Sequence, residues 1–283
     1  MIVFLRRLSR AACISVLLVL PLPSAHAHPP VSSQIDRVTA ELTGDHDATL
    51  LLQRAELLRI AEDWSAAEQD CREALRLKPD LHEVHLCLAR VALGRGDAAV
   101  AAEEARTLLR HAQSADAHRA LASALVTLGD VAGAVAAQQR VVELADPLDP
   151  GDFLRLAELQ TARGADHTDA ALAALDAGME RLGPLAVLQS RAAEIARDAG
   201  RFDEALRRVD ALLAVTPRKE AWTAERGRVL LAAGRTSEAR AAFSDALAAI
   251  DRLPDHHRST HAVRRLEAEL KGRLRHPEEG TAP

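Results

Sequence analysis

Two rows of small residues hold one register through most of this chain. The first runs Ala55, Ala89, Ala122, Ala157, Ala193 and Gly227, at intervals of 34, 33, 35, 36 and 34. The second runs Ala67, Ala101, Ala134, Ala171, Ala205 and Ala239, at intervals of 34, 33, 37, 34 and 34. A glycine stands between the rows at Gly96, Gly129, Gly164, Gly200 and Gly234, and the first unit carries Glu62-Asp63-Trp64 there instead. Three rows in step across six units are an internal repeat. The spacing predicts a helix, a turn and a second helix in each unit. Small residues let the two helices approach at their crossing, and the glycine supplies the left-handed residue that ends the first helix. Large apolar residues flank the crossing, among them Leu51, Leu58, Leu75 and Leu77 in the first unit. They form a stripe that one hairpin cannot cover, so neighbouring hairpins must stack.

The pattern falters once. Asp146-Pro147 and Asp149-Pro150 interrupt the chain before the fourth unit, and Asp166-His167-Thr168-Asp169 lengthens its turn by two residues. Proline ends one helix and fixes an extended start to the next, so a joint is expected between units 1–3 (48–149) and units 4–6 (150–251). Whether it is a fixed kink or a hinge stays open at this level. Residues 28–47 read as a leader and cap, with an amphipathic stretch from Ser33 to Leu42. Residues 252–275 read as a closing segment, whose helix is expected over 259–275 with Ala262, Val263, Leu266, Leu270 and Leu274 at helical spacing. Residues 276–283 read as a disordered tail.

Composition sharpens the fold class. Aromatic residues make up 2% of the 283 and tyrosine is absent. Runs of alternating β-branched residues are missing as well, so alanine and leucine must fill an all-α core.

The first 27 residues look like a signal peptide. Arg6, Arg7 and Arg10 precede an apolar run from Ala11 to Leu22, and Ser24-Ala25-His26-Ala27 offers a cleavage site. The run is too short to span a bilayer, and Cys13 lies at its start rather than following it, which argues against lipid attachment there. The expectation is export to the periplasm or beyond the cell, with a mature chain starting at His28 and no integral membrane segment. Removing three of 36 basic residues leaves 33 against 41 acidic ones, a net charge of −8. That balance is a poor match for a nucleic-acid backbone, which calls for basic stripes. Cys71 and Cys87 would then meet an oxidising compartment. They could pair or could simply be small buried residues, and spacing alone does not decide between them.

The units resemble the tetratricopeptide repeat family, a helix–turn–helix of 34 residues. Residues 48–81 match best, with Leu51, Ala55, Trp64, Ala67, Cys71, Ala74 and Pro79 in place. Residues 220–251 carry Gly227, Gly234, Ala239, Phe243 and Ala246, and the fifth unit carries Gly200 to Leu206 and Pro217. Residues 115–148 keep Leu121, Ala122, Gly129, Asp130 and Ala134. The resemblance spans residues 48–251 and implies a right-handed solenoid of about six repeats with short capping helices. It also implies a non-catalytic scaffold whose first helices line a concave groove for a protein or peptide partner. Outward positions on those helices would place Glu56, Arg59, Glu83, Arg90, Arg119, Glu158, Glu194, Arg197 and Arg228 in the groove. Arg90 and Arg119 are then the natural contacts for a partner's carboxylates, and Glu104 and Arg140 are expected to face outward on second helices. Family members that grip a C-terminal carboxylate use lysines and asparagines at positions that here hold Leu52, Glu56, Cys87, Asp116 and Ala120. That clamp is absent.

No nucleophile elbow, phosphate loop or dinucleotide fingerprint is present, so no catalytic residue, resident metal or cofactor is expected. His82 and His85 fall one residue short of zinc-protease spacing, though they could share a helix face. His257 and His261 are four apart on an expected helix, and His28 at a mature terminus could chelate copper. A metal or small-ligand carrier using such surface histidines is the alternative reading.

Overall fold

The structure, a computed structural model, describes residues 29–43 and 47–275. Among them lie fifteen α-helices and no strand. A first helix, α1 (Val31–Leu42), leads into six hairpins: α2 (Ala48–Ile60) with α3 (Trp64–Leu77), α4 (Val84–Arg95) with α5 (Ala98–His111), and α6 (Ala115–Thr127) with α7 (Val131–Leu144). The remaining three are α8 (Pro150–Thr161) with α9 (Thr168–Leu182), α10 (Ala186–Asp198) with α11 (Phe202–Val215), and α12 (Glu220–Ala232) with α13 (Thr236–Asp251). A short α14 (Asp255–Arg258) and a closing α15 (His261–Arg275) follow. Within each hairpin the helices pack together, each second helix packs on the next first helix, and α15 lies on α13. The expected all-α solenoid of helix–turn–helix units is the observed architecture. The signal-peptide reading, His28 and the tail from 276 onward lie outside the described residues.

Both small-residue rows are sealed in the core. Ala55, Ala89, Ala157 and the whole second row from Ala67 to Ala239 are wholly or almost wholly buried, and Ala122 and Ala193 nearly so. Most of the few aromatic rings found here rest on glycine. A β-carbon at Gly227 would stand 2.4 Å from the Phe243 ring, one at Gly178 2.8 Å from Phe153, and one at Gly94 2.5 Å from Trp64. The chain spends its rings where two helix backbones come closest, and alanine serves elsewhere.

The turns obey the same local logic. Gly96, Gly129, Gly164, Gly200 and Gly234 all have positive φ, and Glu62 holds the equivalent conformation at φ 62° without being glycine. Aspartates cap several of the helices that follow: the Asp63 carboxylate accepts from the Ala66 N–H, and that of Asp130 from the Gly133 N–H. At the joint before α8, the Asp146–Pro147 peptide is cis, Asp149 caps α8 through the Gly151 N–H, and Pro150 occupies its first position. The expected closing helix begins at His261, two residues later than Ser259. Ser259 and Thr260 instead close α14, where both hydroxyls donate to carbonyls of that short helix.

Four sets of substitutions test this packing and its turns. Ala89→Leu or Ala122→Leu should overpack a crossing and cost about 1–3 kcal/mol. Glu103→Ala and Arg110→Ala, whose side chains are 66% and 59% exposed, should each stay within about 0.5 kcal/mol. Gly129→Ala adds a methyl that meets nothing within 4 Å, so its cost of about 1 kcal/mol comes from the left-handed backbone alone. Glu62→Gly relieves that same backbone and should be neutral or stabilising by up to about 1 kcal/mol. Urea denaturation midpoints at constant slope decide all four.

Candidate protein-binding face

First helices of neighbouring hairpins touch, α2 on α4, α4 on α6 and α8 on α10. Their outward rows therefore lie side by side over repeats 1–3 and over repeats 4 and 5, and arginine–acid pairs link α6 to α8 and α10 to α12. The buried alanines fix which residues face out. On α6, Ala117, Ala120, Ala122, Ala124 and Leu125 are buried, leaving Ser123 and Thr127 exposed and Asp116 and Arg119 half-exposed. On α8 the exposed residues are Gly151, Arg155 and Glu158, and on α10 the corresponding row holds Val187, Ser190, Arg191, Glu194 and Arg197.

The charges on this face are linked to one another. Arg59 donates to Glu56 on α2 at 2.7 Å, and Arg90 on α4 reaches Glu56 at 3.4 Å and Asp116 on α6 at 2.8 Å. Arg119 meets Asp116 at 2.5 Å and grips Asp152 on α8 with a two-pronged fork at 3.0 and 2.8 Å. Asp152 is buried, and Gln138 of α7, also buried, donates to its backbone carbonyl at 3.0 Å. The joint between repeats 3 and 4 is therefore tied by a satisfied polar network. Asp152 holds the Arg119 guanidinium well above its ordinary range. Farther along, Arg197 pairs with Glu225 of α12. Arg228 pairs with the same Glu225 at 2.8 Å and with Glu269 of α15 in a fork at 3.0 and 2.9 Å. Arg273 completes this second set on Glu269 at 3.0 Å.

Eight of the nine expected groove residues thus lie on first helices, and Glu83 stands exposed just before α4. The structure joins Glu56, Arg59, Arg90 and Arg119 in one network, and Arg197 with Arg228 in another. Glu158 and Glu194 join neither. Their partners are Arg155 at 3.5 Å and Arg191 at 3.0 Å, each one turn away on the same helix. Asp116, Asp152, Glu225, Glu269 and Arg273 are network residues outside the nine expected ones. Opposite charges about one repeat apart, Glu56 with Arg90 and Arg119 with Asp152, mark the first network, whereas Arg197 and Glu225 stand 28 residues apart and Arg228 and Glu269 stand 41 apart, outside the repeat period. Arg90 and Arg119 already hold carboxylates of their own chain.

Other expectations change. His82 lies before α4, not on its face. It stacks on His111 at the end of α5, with ring centroids 3.7 Å apart and planes 9° apart. His85 is turned instead to Glu104, with its Nδ1 2.7 Å from the carboxylate. Glu104 is thereby half-buried against α4 rather than outward, whereas Arg140 does face out and meets Glu143. His257 and His261 fall on different helices, α14 and α15. Among the described residues no group of three or more His, Cys, Asp or Glu is placed to hold a metal ion. Cys71 and Cys87 are buried free thiols. The neighbouring Cys71 thiol, together with burial, pushes the Cys87 thiol far up.

The tetratricopeptide repeat family model matches residues 87–152 and 190–255. The fold is similar to that of the C-terminal part of a repeat-containing protein from Cytophaga hutchinsonii, at 12% identity and TM-score 0.62, covering 83% of this chain and 94% of that one. PilF from Pseudomonas aeruginosa is similar at 14% identity and TM-score 0.50, over 83% of this chain and 99% of its own. No curated protein matches the sequence.

Two pH effects follow from the geometry. Arg228 holds the Glu269 carboxyl below the ordinary glutamate range against the opposing effect of burial, and Arg273 adds to it. The contribution is complete above about pH 4.3 and lost as pH falls through the lowered value. Arg228→Leu should therefore show a smaller loss of stability between about pH 6 and about pH 3 than the parent, read from urea titrations. Desolvation, with His82, Arg110 and His85 nearby, holds the His111 imidazole below the usual histidine value. The stack is then at full strength above about pH 6.5, where His111 is neutral, and weakens as His111 takes up a proton. His111→Gln should flatten the stability slope between about pH 7 and about pH 5; an unchanged slope would mean that the stack does not titrate.

Proposed function

We propose that this chain, which belongs to the tetratricopeptide repeat proteins, holds a segment of another protein along the joined face of its first helices, outside the cytoplasm. An array of such repeats is a protein–protein interaction scaffold, a long surface assembled from hairpins that contact only their neighbours. The observation that supports this face is the contact of α2 with α4, α4 with α6 and α8 with α10, which aligns the exposed rows of those repeats, with ion pairs joining α6 to α8 and α10 to α12. A polypeptide suits such a surface better than a nucleic acid, because the net charge is acidic and most arginines on the face already hold carboxylates. Export is supported by the basic start, the apolar run and the cleavage site of residues 1–27. No helix among the described residues is long and apolar enough to cross a membrane.

Site-specific photocrosslinking in the native host tests the face. A crosslinking residue at Ser123 or Thr127 on α6 should trap a protein adduct. The same residue at Arg106 on α5 or Gln139 on α7, both exposed on second helices, should not. Adducts confined to the second-helix positions would move the binding surface to the other side. Fractionation with N-terminal sequencing tests export: a chain starting at His28 outside the cytoplasm is expected, and a cytoplasmic chain retaining Met1 would contradict it.

A further inference from the structure

The two charge networks leave a gap between repeats 4 and 5. Elsewhere on the face, an acid joins arginine to a neighbouring helix: Glu56, Asp116 and Asp152 on one side, Glu225 and Glu269 on the other. In the gap, α8 and α10 touch, yet no ion pair passes between their outward rows. Arg155 reaches only Glu158 and Arg191 only Glu194, each on its own helix.

Those two arginines also keep unused donors. A guanidinium carries five N–H groups. Arg119 makes three hydrogen bonds, whereas Arg191 makes one and its buried Nε has no acceptor. Arg155 has a single carboxylate contact at 3.5 Å. The accompanying glutamates are 50% and 42% exposed, and the one buried donor in the gap without an acceptor belongs to Arg191. Exposed pairs one turn apart on a helix contribute little and are easily exchanged. Beside Arg191, the lengthened turn of repeat 4 opens a recess of about 330 Å³, also lined by Thr161, Thr168, Arg201 and Asp198, the last already paired with Arg197.

We propose that a side-chain carboxylate from an acidic segment of the partner protein enters this gap and bridges Arg155 and Arg191. It supplies from outside the acid that elsewhere joins neighbouring helices. The carboxylate belongs to an aspartate or glutamate within the segment rather than to a chain end. The face continues past α6 on one side and past α12 on the other, so a segment lying along it crosses the gap without stopping. Bidentate pairing of a planar guanidinium with carboxylate gives the contact its selectivity. This inference rests on the first-helix face being the protein-binding face.

The test uses the mature protein and two displayed libraries of amidated 12-residue peptides with random flanks, one with a central Glu and the other with a central Gln. The central-Glu library should yield binders and the central-Gln library far fewer. Arg155→Ala combined with Arg191→Ala should weaken those binders at least tenfold with an unchanged melting curve. Arg106→Ala combined with Arg207→Ala, on exposed second-helix positions, should not affect them. Equal enrichment from both libraries, no enrichment from either, or binders indifferent to the Arg155/Arg191 pair would overturn the gap assignment. In the last case Ser123→Trp on α6 separates the two ideas. If it abolishes binding, the face stands and only the gap is wrong. If binding survives Ser123→Trp and is lost in the Arg106/Arg207 variant, the face is wrong as well.

Discussion

Close approach of helix backbones is the constraint on which everything else in this molecule depends. Each hairpin closes over small residues buried on both of its helices, and the rings of Phe153, Phe243 and Trp64 lie where glycine leaves room for them. A side chain larger than methyl at those points would separate the helices and uncover the stripe that the next hairpin covers. Because each repeat is stabilised mainly by its neighbours, the separation would be felt along the array. The same spacing brings α2 against α4, α4 against α6 and α8 against α10, and so sets the distance between their outward rows.

That distance explains the charge arrangement. Residues one repeat apart face each other across adjacent first helices, within the reach of an arginine. Glu56 and Arg90, or Arg119 and Asp152, meet for this reason. The result is a face rich in arginine but with few cations left to engage a partner, since most are neutralised within the chain. A mixed-charge surface of this kind discriminates by where its internal pairing fails. The failure lies at repeats 4 and 5, where Arg155 and Arg191 keep donors that no residue of a neighbouring first helix fills.

Much of the fold was legible in the sequence because the signals were periodic. Rows such as Ala67 to Ala239 report a steric requirement that only small residues meet, and Gly129 or Gly200 reports a backbone conformation that other residues enter at a cost. Glu62 shows the limit of such reasoning, since it holds the left-handed turn without being glycine. The outward positions of the candidate face were legible for the same periodic reason. Their pairing was not. In a chain with 27% charged residues, an opposite charge one repeat away is common, and only helix placement shows which pairs meet. The histidines misled because helix limits could not be read closely enough: His82 falls just outside α4, and α14 ends between His257 and His261.

A double-mutant cycle on Arg119 and Asp152, set beside one on Arg155 and Glu158, tests most directly whether first-helix arginines hold the array together. The fork on buried Asp152 should give a coupling energy of about 1–3 kcal/mol, and the exposed pair on α8 no more than about 0.5 kcal/mol. Equal and small couplings in both cycles would contradict the account, because the Arg119 guanidinium would then be as free for a partner as that of Arg155.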